Sequence, residues 1–272
     1  MHSFSISPTE MFSSFWKNKG LIKALAQREV VGRYRGSVMG ILWSFVNPVF
    51  MLLVYTFVFS VVFKARWNTG SESRSEFALI LFSGLMVFNV FSECVNGAPS
   101  LISSNANYVK KVVFPLEVLP WVSLASSLFH FLVSFVVWLV FYVVIIGWPG
   151  VTVLLLPLVL FPLVLFVMGV SWVLASLGVY LRDVSQFAQI ATSVLMFLSP
   201  IFYPANALPP EFRNGLLYNP LSIVIEQTRD VLLWSRVPDV SQYVGHLIGA
   251  ATICWLGFSW FQKTRKGFAD VL

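Results

Sequence analysis

Three arginines, Arg28, Arg33 and Arg35, fall within eight residues of one another just before a run, Ser37 to Phe63, that carries no charge. A guanidinium group presents a rigid fork of donors that meets carboxylate or phosphate in bidentate fashion. Placed at the edge of an apolar segment, the three arginines act as a stop that should hold this end of it in the cytoplasm.

Further polar residues recur at helical spacing inside apolar runs. Ser44, Asn47, Met51 and Tyr55 share one face of the first run, and Gln186, Gln189 and Ser193 share one face of the fifth. Ser123, Ser127, His130 and Ser134 do the same in the third run. Such faces either hydrogen-bond between helices or line a wet path. The face of the third run is assigned to helix packing, as are the small residues Ser171, Ala175 and Gly178 of the fourth. For the first and fifth runs both readings stay open, and the path-lining one makes their residues candidate channel walls. Glu93 is the only acid of the second run, and a carboxylate at mid-bilayer costs about 2.5–3.5 kcal/mol. It is therefore expected near the interface, paired with a base of the N-terminal segment.

Other chemistries find no support. The chain has no GxxxxGK[ST] loop for ATP, no HExxH or Cys/His spacing for a metal, and no GxSxG nucleophile. His2, His130 and His246 are scattered, and no run holds paired carboxylates. Catalysis and a resident cofactor are not expected.

The elements that must position these residues follow from composition. Of 272 residues, 57% are hydrophobic and 11% charged, with mean hydropathy +0.80. Soluble domains carry roughly 25% charged residues, so this chain cannot cover itself with a polar surface. An all-α, polytopic membrane protein is expected. Its net charge of +6 comes from basic residues clustered between apolar runs. That pattern suits an anionic membrane leaflet and argues against nucleic acid. Cys94 and Cys254 both lie in apolar runs, so a structural disulfide is not expected. The N-terminal residues lack the h-region and cleavage site of a signal peptide.

Residues 1–36 are predicted to form a cytoplasmic N-terminus. From Thr9 to Gly36, Phe12, Phe15 and Trp16 interleave with Lys17, Lys19 and Lys23, a pattern for a helix lying in the membrane interface. An ordinary flanking helix would explain the charges but not the aromatic pairs. Residues 37–261 hold six apolar runs, at about 37–63, 77–98, 116–146, 151–180, 184–203 and 243–261, each about 20 residues or longer and enough to cross ~30 Å of hydrocarbon. Gly147-Trp148-Pro149-Gly150 breaks what would otherwise read as one span. Residues 262–272 form a cytoplasmic tail. With both termini inside, the inner loops carry twice the basic residues of the outer ones, as the positive-inside rule demands. The loop from Pro204 to Gln242 holds Pro204, Pro209, Pro210 and Pro220 around two short apolar segments, Phe212 to Tyr218 and Leu221 to Trp234. It reads as a re-entrant hairpin on the outer side or as an amphipathic hairpin on the surface. No internal repeat of the secondary-transporter kind is present.

Taken in order, several segments resemble the membrane subunit of type-2 ABC exporters that move polysaccharides: the O-antigen (Wzm-type), capsule and teichoic acid permeases. They are RE-x-x-x-RYRGSVMGILWSFVNP, NANYVKKVVFPLEVLP, VYLRDVSQF, LSPIFYP, NPLSIVIEQTR and FQKTRKGFADVL. Each alone is a weak pattern; their order and spacing cover nearly the whole chain. Leu116 and Ser185 stand where the family often carries a base. The resemblance implies a homodimer of six-span subunits joined to two copies of a separate ABC ATPase, which would bind ATP and Mg. The first and fifth spans would line a channel, through Ser44, Asn47, Met51, Tyr55, Gln186, Gln189 and Ser193. Arg28, Arg33 and Arg35 would meet the pyrophosphate of a polyprenyl-linked polysaccharide at the cytoplasmic mouth. A segment with Asn105, Asn107, Tyr108, Lys110 and Lys111 would couple to the ATPase. Pro204, Pro220, Glu226 and Arg229 would belong to an outer gate. The expected location is the bacterial inner membrane. A drug or lipid exporter of the same superfamily is the nearest alternative. A membrane enzyme acting on lipid-linked sugars would need acids or histidines clustered at one interface, and a passive scaffold would leave the polar faces unexplained.

Overall fold

The computed structural model describes residues 5–58, 74–109, 114–209, 211, 215–216 and 218–272. Its helices are α1 (Pro8–Arg33), α2 (Trp43–Tyr55), α3 (Arg74–Gly97), α4 (Ala106–Val109), α5 (Leu119–Ile145), α6 (Leu156–Tyr180), α7 (Val184–Leu198), α8 (Pro220–Leu232), α9 (Val240–Thr264) and α10 (Phe268–Val271), and no strand occurs among the described residues. Among the described residues, five helical stretches are long and apolar enough to cross a membrane: Gly40–Val58, Ser75–Ser100, Leu116–Ile145, Val151–Tyr180 and Val240–Val271. The apolar α7 has 15 residues. At 1.5 Å per residue it extends about 22 Å, short of a ~30 Å hydrocarbon layer.

Local chemistry explains the ends. Ser7 caps α1 by accepting from the Thr9 amide at 3.2 Å, with Pro8 in the first turn, where a missing N–H costs nothing. Asn219 and Pro220 start α8 in the same way, and Asp239 caps α9 by accepting from the Gln242 amide at 2.8 Å. The first apolar run does not become helical at Ser37, as its composition suggests. Gly36 (φ +85°) and Gly40 (φ +51°) take left-handed conformations, so Tyr34 to Met39 turn and the helical stretch begins at Gly40. The far end of that run, 59–63, lies outside the described residues. The fifth run ends at Leu198 instead of Tyr203. Pro200 biases Ser199 to an extended conformation (ψ 148°), and Ser199 to Tyr203 form an apolar turn.

The core element is α3: 83% of its apolar window is buried, against 11% for the first span. It packs against α5, α6, α7 and α8. α6 and α9 cross closely, so that a Cβ on Gly257 would lie 2.1 Å from the Gly169 carbonyl oxygen. Gly178 meets the Pro99 backbone in the same way, at 2.0 Å, and Ser171 and Ala175 of the same helix are buried. The small residues of the fourth run thus serve packing, as their spacing suggests.

The chain near Ile6 and the C-terminal segment lie toward one end of the bundle. There Trp255 donates to the Ile6 carbonyl at 3.1 Å, Tyr180 to the Thr264 carbonyl at 2.9 Å, and Arg265 pairs with Glu117 at 2.5 Å. At the opposite end, Thr152 donates to the Val231 carbonyl at 2.7 Å and Tyr243 to the Leu158 carbonyl at 3.1 Å.

Candidate functional site

A cavity of about 340 Å³ opens between α1, α2, α3 and α5. From α2 it takes all four residues of the mixed face: Ser44, Asn47, Met51 and Tyr55. Pro48, inside α2, cannot donate to the carbonyl one turn back, and Ser44 turns its own hydroxyl to the Ile41 carbonyl at 2.7 Å. From α3 come Asn89, Ser92 and Glu93; from α5, Ser127, His130 and Ser134. The polar face of the third run was assigned to packing, and the structure amends this. Ser127 does bridge helices, donating to Glu93 Oε2 at 2.6 Å. His130 and Ser134, however, look into the cavity, because the face that meets α3 also meets the gap left where α2 stands away from it.

At the mouth stands a cluster of ionisable groups. Arg33, from the last turn of α1, forms an ion pair with Glu93, so the acid of the second run does find a base of the N-terminal helix. Arg33 also donates to His130 Nδ1 at 3.1 Å. His130 Nδ1 also lies 3.4 Å from Glu93 Oε1, and its Nε2 faces the Tyr34 hydroxyl at 3.2 Å. The Arg33 and Glu93 side chains are 43% and 26% exposed. This pair is within reach of an anion arriving from water.

A second cavity, of about 400 Å³, adjoins the first through Arg33 and Glu93 and leads past Arg28 and Glu29 to Ser100, Ser104, Asn105 and Tyr108. Arg28 reaches the Tyr108 hydroxyl at 3.5 Å, and Tyr108 stacks on Phe114 with ring centroids 4.3 Å apart. Burial raises the Glu29 pKa above its ordinary 4.5, opposed by the nearby Arg33 charge. Asn105 donates to the Leu101 carbonyl at 2.9 Å and holds this short helical segment together. Asn107 is exposed in α4. Lys110 and Lys111 lie outside the described residues. Arg35 is exposed in the turn after α1.

The residues singled out in the fifth run lie elsewhere. Gln186, Gln189 and Ser193 are exposed along one side of α7, which sets Ala188 and Thr192 inward. Ser193 donates to the Gln189 carbonyl at 2.8 Å. The faces of the first and fifth runs therefore do not share this cavity.

The proline-rich loop reaches into the bundle. Its second arm, α8, is buried among α3 and α6, with Leu221, Val224, Ile225, Val231 and Leu232 all inside. Arg229 is wholly buried. It donates to the main-chain carbonyls of Pro200 at 2.6 Å, Ile201 at 2.9 Å and Ile80 at 3.3 Å, and to Glu226 at 3.0 Å. A Cβ at Gly84 would stand 2.9 Å from its Nη2, so glycine leaves the room this guanidinium occupies. Pro204 leads into the short helical turn Ala205–Ala207, and Pro220 opens α8.

Glu117 escaped the sequence reading. It is buried, accepts from Ser14 of α1 at 2.9 Å and pairs with Arg265, which also donates to the Phe114 carbonyl at 2.9 Å. It ties α1, the start of the third span and the C-terminal tail together. The only sequence signal was a lone acid at the head of an apolar run.

The profile described as ABC-2 type transporter matches residues 20–233. The chain belongs to the ABC-2 type transporter family. That stretch contains both cavities, the exposed face of α7 and the buried Arg229. Among curated relatives, this ABC-2 chain is 29% identical over 257 residues to the O-antigen export system permease protein RfbA of Myxococcus xanthus, covering 94% of this chain and 96% of that protein. It is 27% identical over 254 residues to RfbA of Klebsiella pneumoniae, covering 93% and 95%. It is also 25% identical over 224 residues to the polysialic acid transport protein KpsM of Escherichia coli, covering 81% and 84%. With its apolar helices, this makes the ABC-2 chain a multi-pass membrane protein.

Proposed function

We propose that this chain is the membrane-spanning subunit of an ATP-driven exporter in the bacterial inner membrane, moving a polyprenyl-pyrophosphate-linked polysaccharide such as an O-antigen. The observation that carries the reading is the cavity mouth. Arg33 stands there with a carboxylate as its partner, in a site lined by amide, hydroxyl and phenol groups suited to phosphate and sugar. The full-length similarity to O-antigen export permeases supports the cargo class. In this reading Glu93 holds the guanidinium in place until a diphosphate takes over its donors, with Arg28 and Arg35 nearby.

Six crossings with both termini in the cytoplasm are part of the proposal, α7 being the short sixth. The gathering of the chain near Ile6, the C-terminal segment, Arg28 and the 100–109 segment toward one end supports it. Asn105, Asn107, Tyr108, Lys110 and Lys111 would then dock on a separate ATPase that binds ATP and Mg. A homodimer fits the unclaimed faces of α2 and α7. Phe50 and Leu53 on one and Phe187 and Ile190 on the other are more than half exposed. Gln186 and Gln189 stand beside the latter, and amides are costly against lipid. A second copy would enclose them in a shared channel, with Ser193. The Pro204–Pro220 segment and Glu226 would form its outer rim, with Arg229 as the anchor behind it.

The test is reconstitution with candidate ABC ATPases from the same genome. ATP hydrolysis should rise on adding the lipid-linked glycan, and Arg33→Ala should remove that rise. A purified permease that binds no ATPase, or an ATPase indifferent to glycan, would overturn the assignment.

A further inference from the structure

A third cavity, of about 800 Å³, lies on the other flank of α1. It is a groove between α1 and α5, floored by Val30, Ala125, Leu128 and Val164, and it is predominantly apolar. Packing of Ile22 and Ala26 against Val118 and Val122 closes it at depth. Its α1 rim is polar: Lys19, Lys23 and Gln27 follow one another at four-residue intervals. Among the described residues no acid lines it, and its two charges, on Lys19 and Lys23, are both positive.

The same stripe of α1 continues outward through Trp16 and Phe12, which are 67% and 56% exposed. The Lys19 ammonium lies 4.4 Å from the Trp16 ring centroid. Exposed aromatic rings beside ammonium groups mark the level of lipid headgroups. At about 100° per residue, Lys19 and Lys23 fall on the opposite side of α1 from Arg28. The groove shares no lining residue with either of the two cavities that meet at Arg33 and Glu93.

We propose that the groove is a binding site for an anionic phospholipid, with an acyl chain over Ala125, Leu128 and Val164 and the phosphate held by Lys19 and Lys23. The apolar floor takes a hydrocarbon chain. The acid-free, twofold basic rim selects an anionic headgroup over a zwitterionic one. The lipid would cement α1 to the bundle along the flank where the protein itself leaves a gap.

The experiment is native mass spectrometry of the purified full-length chain with palmitoyl-oleoyl phosphatidylglycerol or the phosphatidylcholine of the same acyl chains. The wild type should retain one phosphatidylglycerol per chain, in roughly tenfold preference to phosphatidylcholine. Lys19→Gln/Lys23→Gln should abolish the preference, and Ala125→Trp, which fills the groove, should lower retention of both lipids. Both lysines are exposed, so the double variant keeps the test valid even if Ala125→Trp does not fold. Equal retention of the two lipids by the wild type, or an unchanged preference in the lysine variant, overturns the proposal. So does displacement of phosphatidylglycerol by an equal concentration of polyprenyl phosphate. None of these outcomes depends on export.

Discussion

Arg33 and Arg229 each face a glutamate, and there the likeness ends. Arg229 is wholly buried and spends its donors on three main-chain carbonyls from α3 and from the turn after α7. Arg33 is 43% exposed, meets only side chains and opens onto a cavity. Main-chain acceptors are fixed by the fold, so an arginine they hold cannot let go without loosening three elements. Side-chain acceptors can be exchanged for those of a ligand. The difference separates an arginine that builds the bundle from one whose donors stay available to a ligand.

The largest effect should come from breaking the first of these. Arg229→Ala strands buried acceptors and leaves a hole, a change of about 3–5 kcal/mol. We expect loss of folded protein or a fall of many degrees in the detergent melting temperature. Arg229→Lys, with one ammonium for several acceptors, should recover little of it. A variant that melts normally but exports poorly would move Arg229 to the functional side of the comparison.

Glu117 lies between the two extremes, its pair with Arg265 being 12% exposed on both sides. Glu117→Ala removes the carboxylate that Arg265 and Ser14 of α1 share, so about 2–3 kcal/mol is expected. Limited proteolysis should then cut the N-terminal helix or the C-terminal tail before the bundle. Retention of both under protease would show that packing of Phe268 and Ile22 suffices.

For the exposed pair the order of effects should reverse. A half-exposed ion pair is worth about 0–1 kcal/mol, so Arg33→Ala and Glu93→Gln should melt close to the wild type. Export measured in cells should nevertheless fall, roughly tenfold for Arg33→Ala. Glu93→Gln keeps Arg33 but loosens its aim, so its loss should be smaller. Normal export in both variants would reduce the cluster to a packing contact.

These contrasts also mark what could be read in advance. The apolar runs were legible because a charge-free stretch of more than 18 residues has few other uses. The partner class of Glu93 was legible too, since a lone carboxylate in such a run needs a base. The end of the fifth run was not: Ser199 to Tyr203 is as apolar as a helix but turns around Pro200, buried and held by Arg229. Nor was the sharing of one cavity by α2, α3 and α5 legible. Helical spacing tells which residues share a face, whereas which faces meet depends on the order of helices around α3. Arg229 looked like a loop residue because main-chain carbonyls hold it in the bundle, and side-chain types do not reveal those.

The smallest effect tests the edge of the Arg33 cluster. Glu29 lines the cavity beside Arg33, and burial raises its pKa above 4.5 while Arg33 pulls it down. The folded protein thus holds this proton more tightly than the unfolded chain. That contribution to stability is complete below about pH 4.5 and is lost as pH rises through the raised value. Glu29→Gln should therefore match the wild type near pH 4 and melt slightly higher at pH 7, by less than about 1 kcal/mol. A variant that melts lower at pH 7 would mean that the attraction of Arg33 outweighs burial. Arg33 would then be held by two carboxylates instead of one, and a diphosphate would have to displace both.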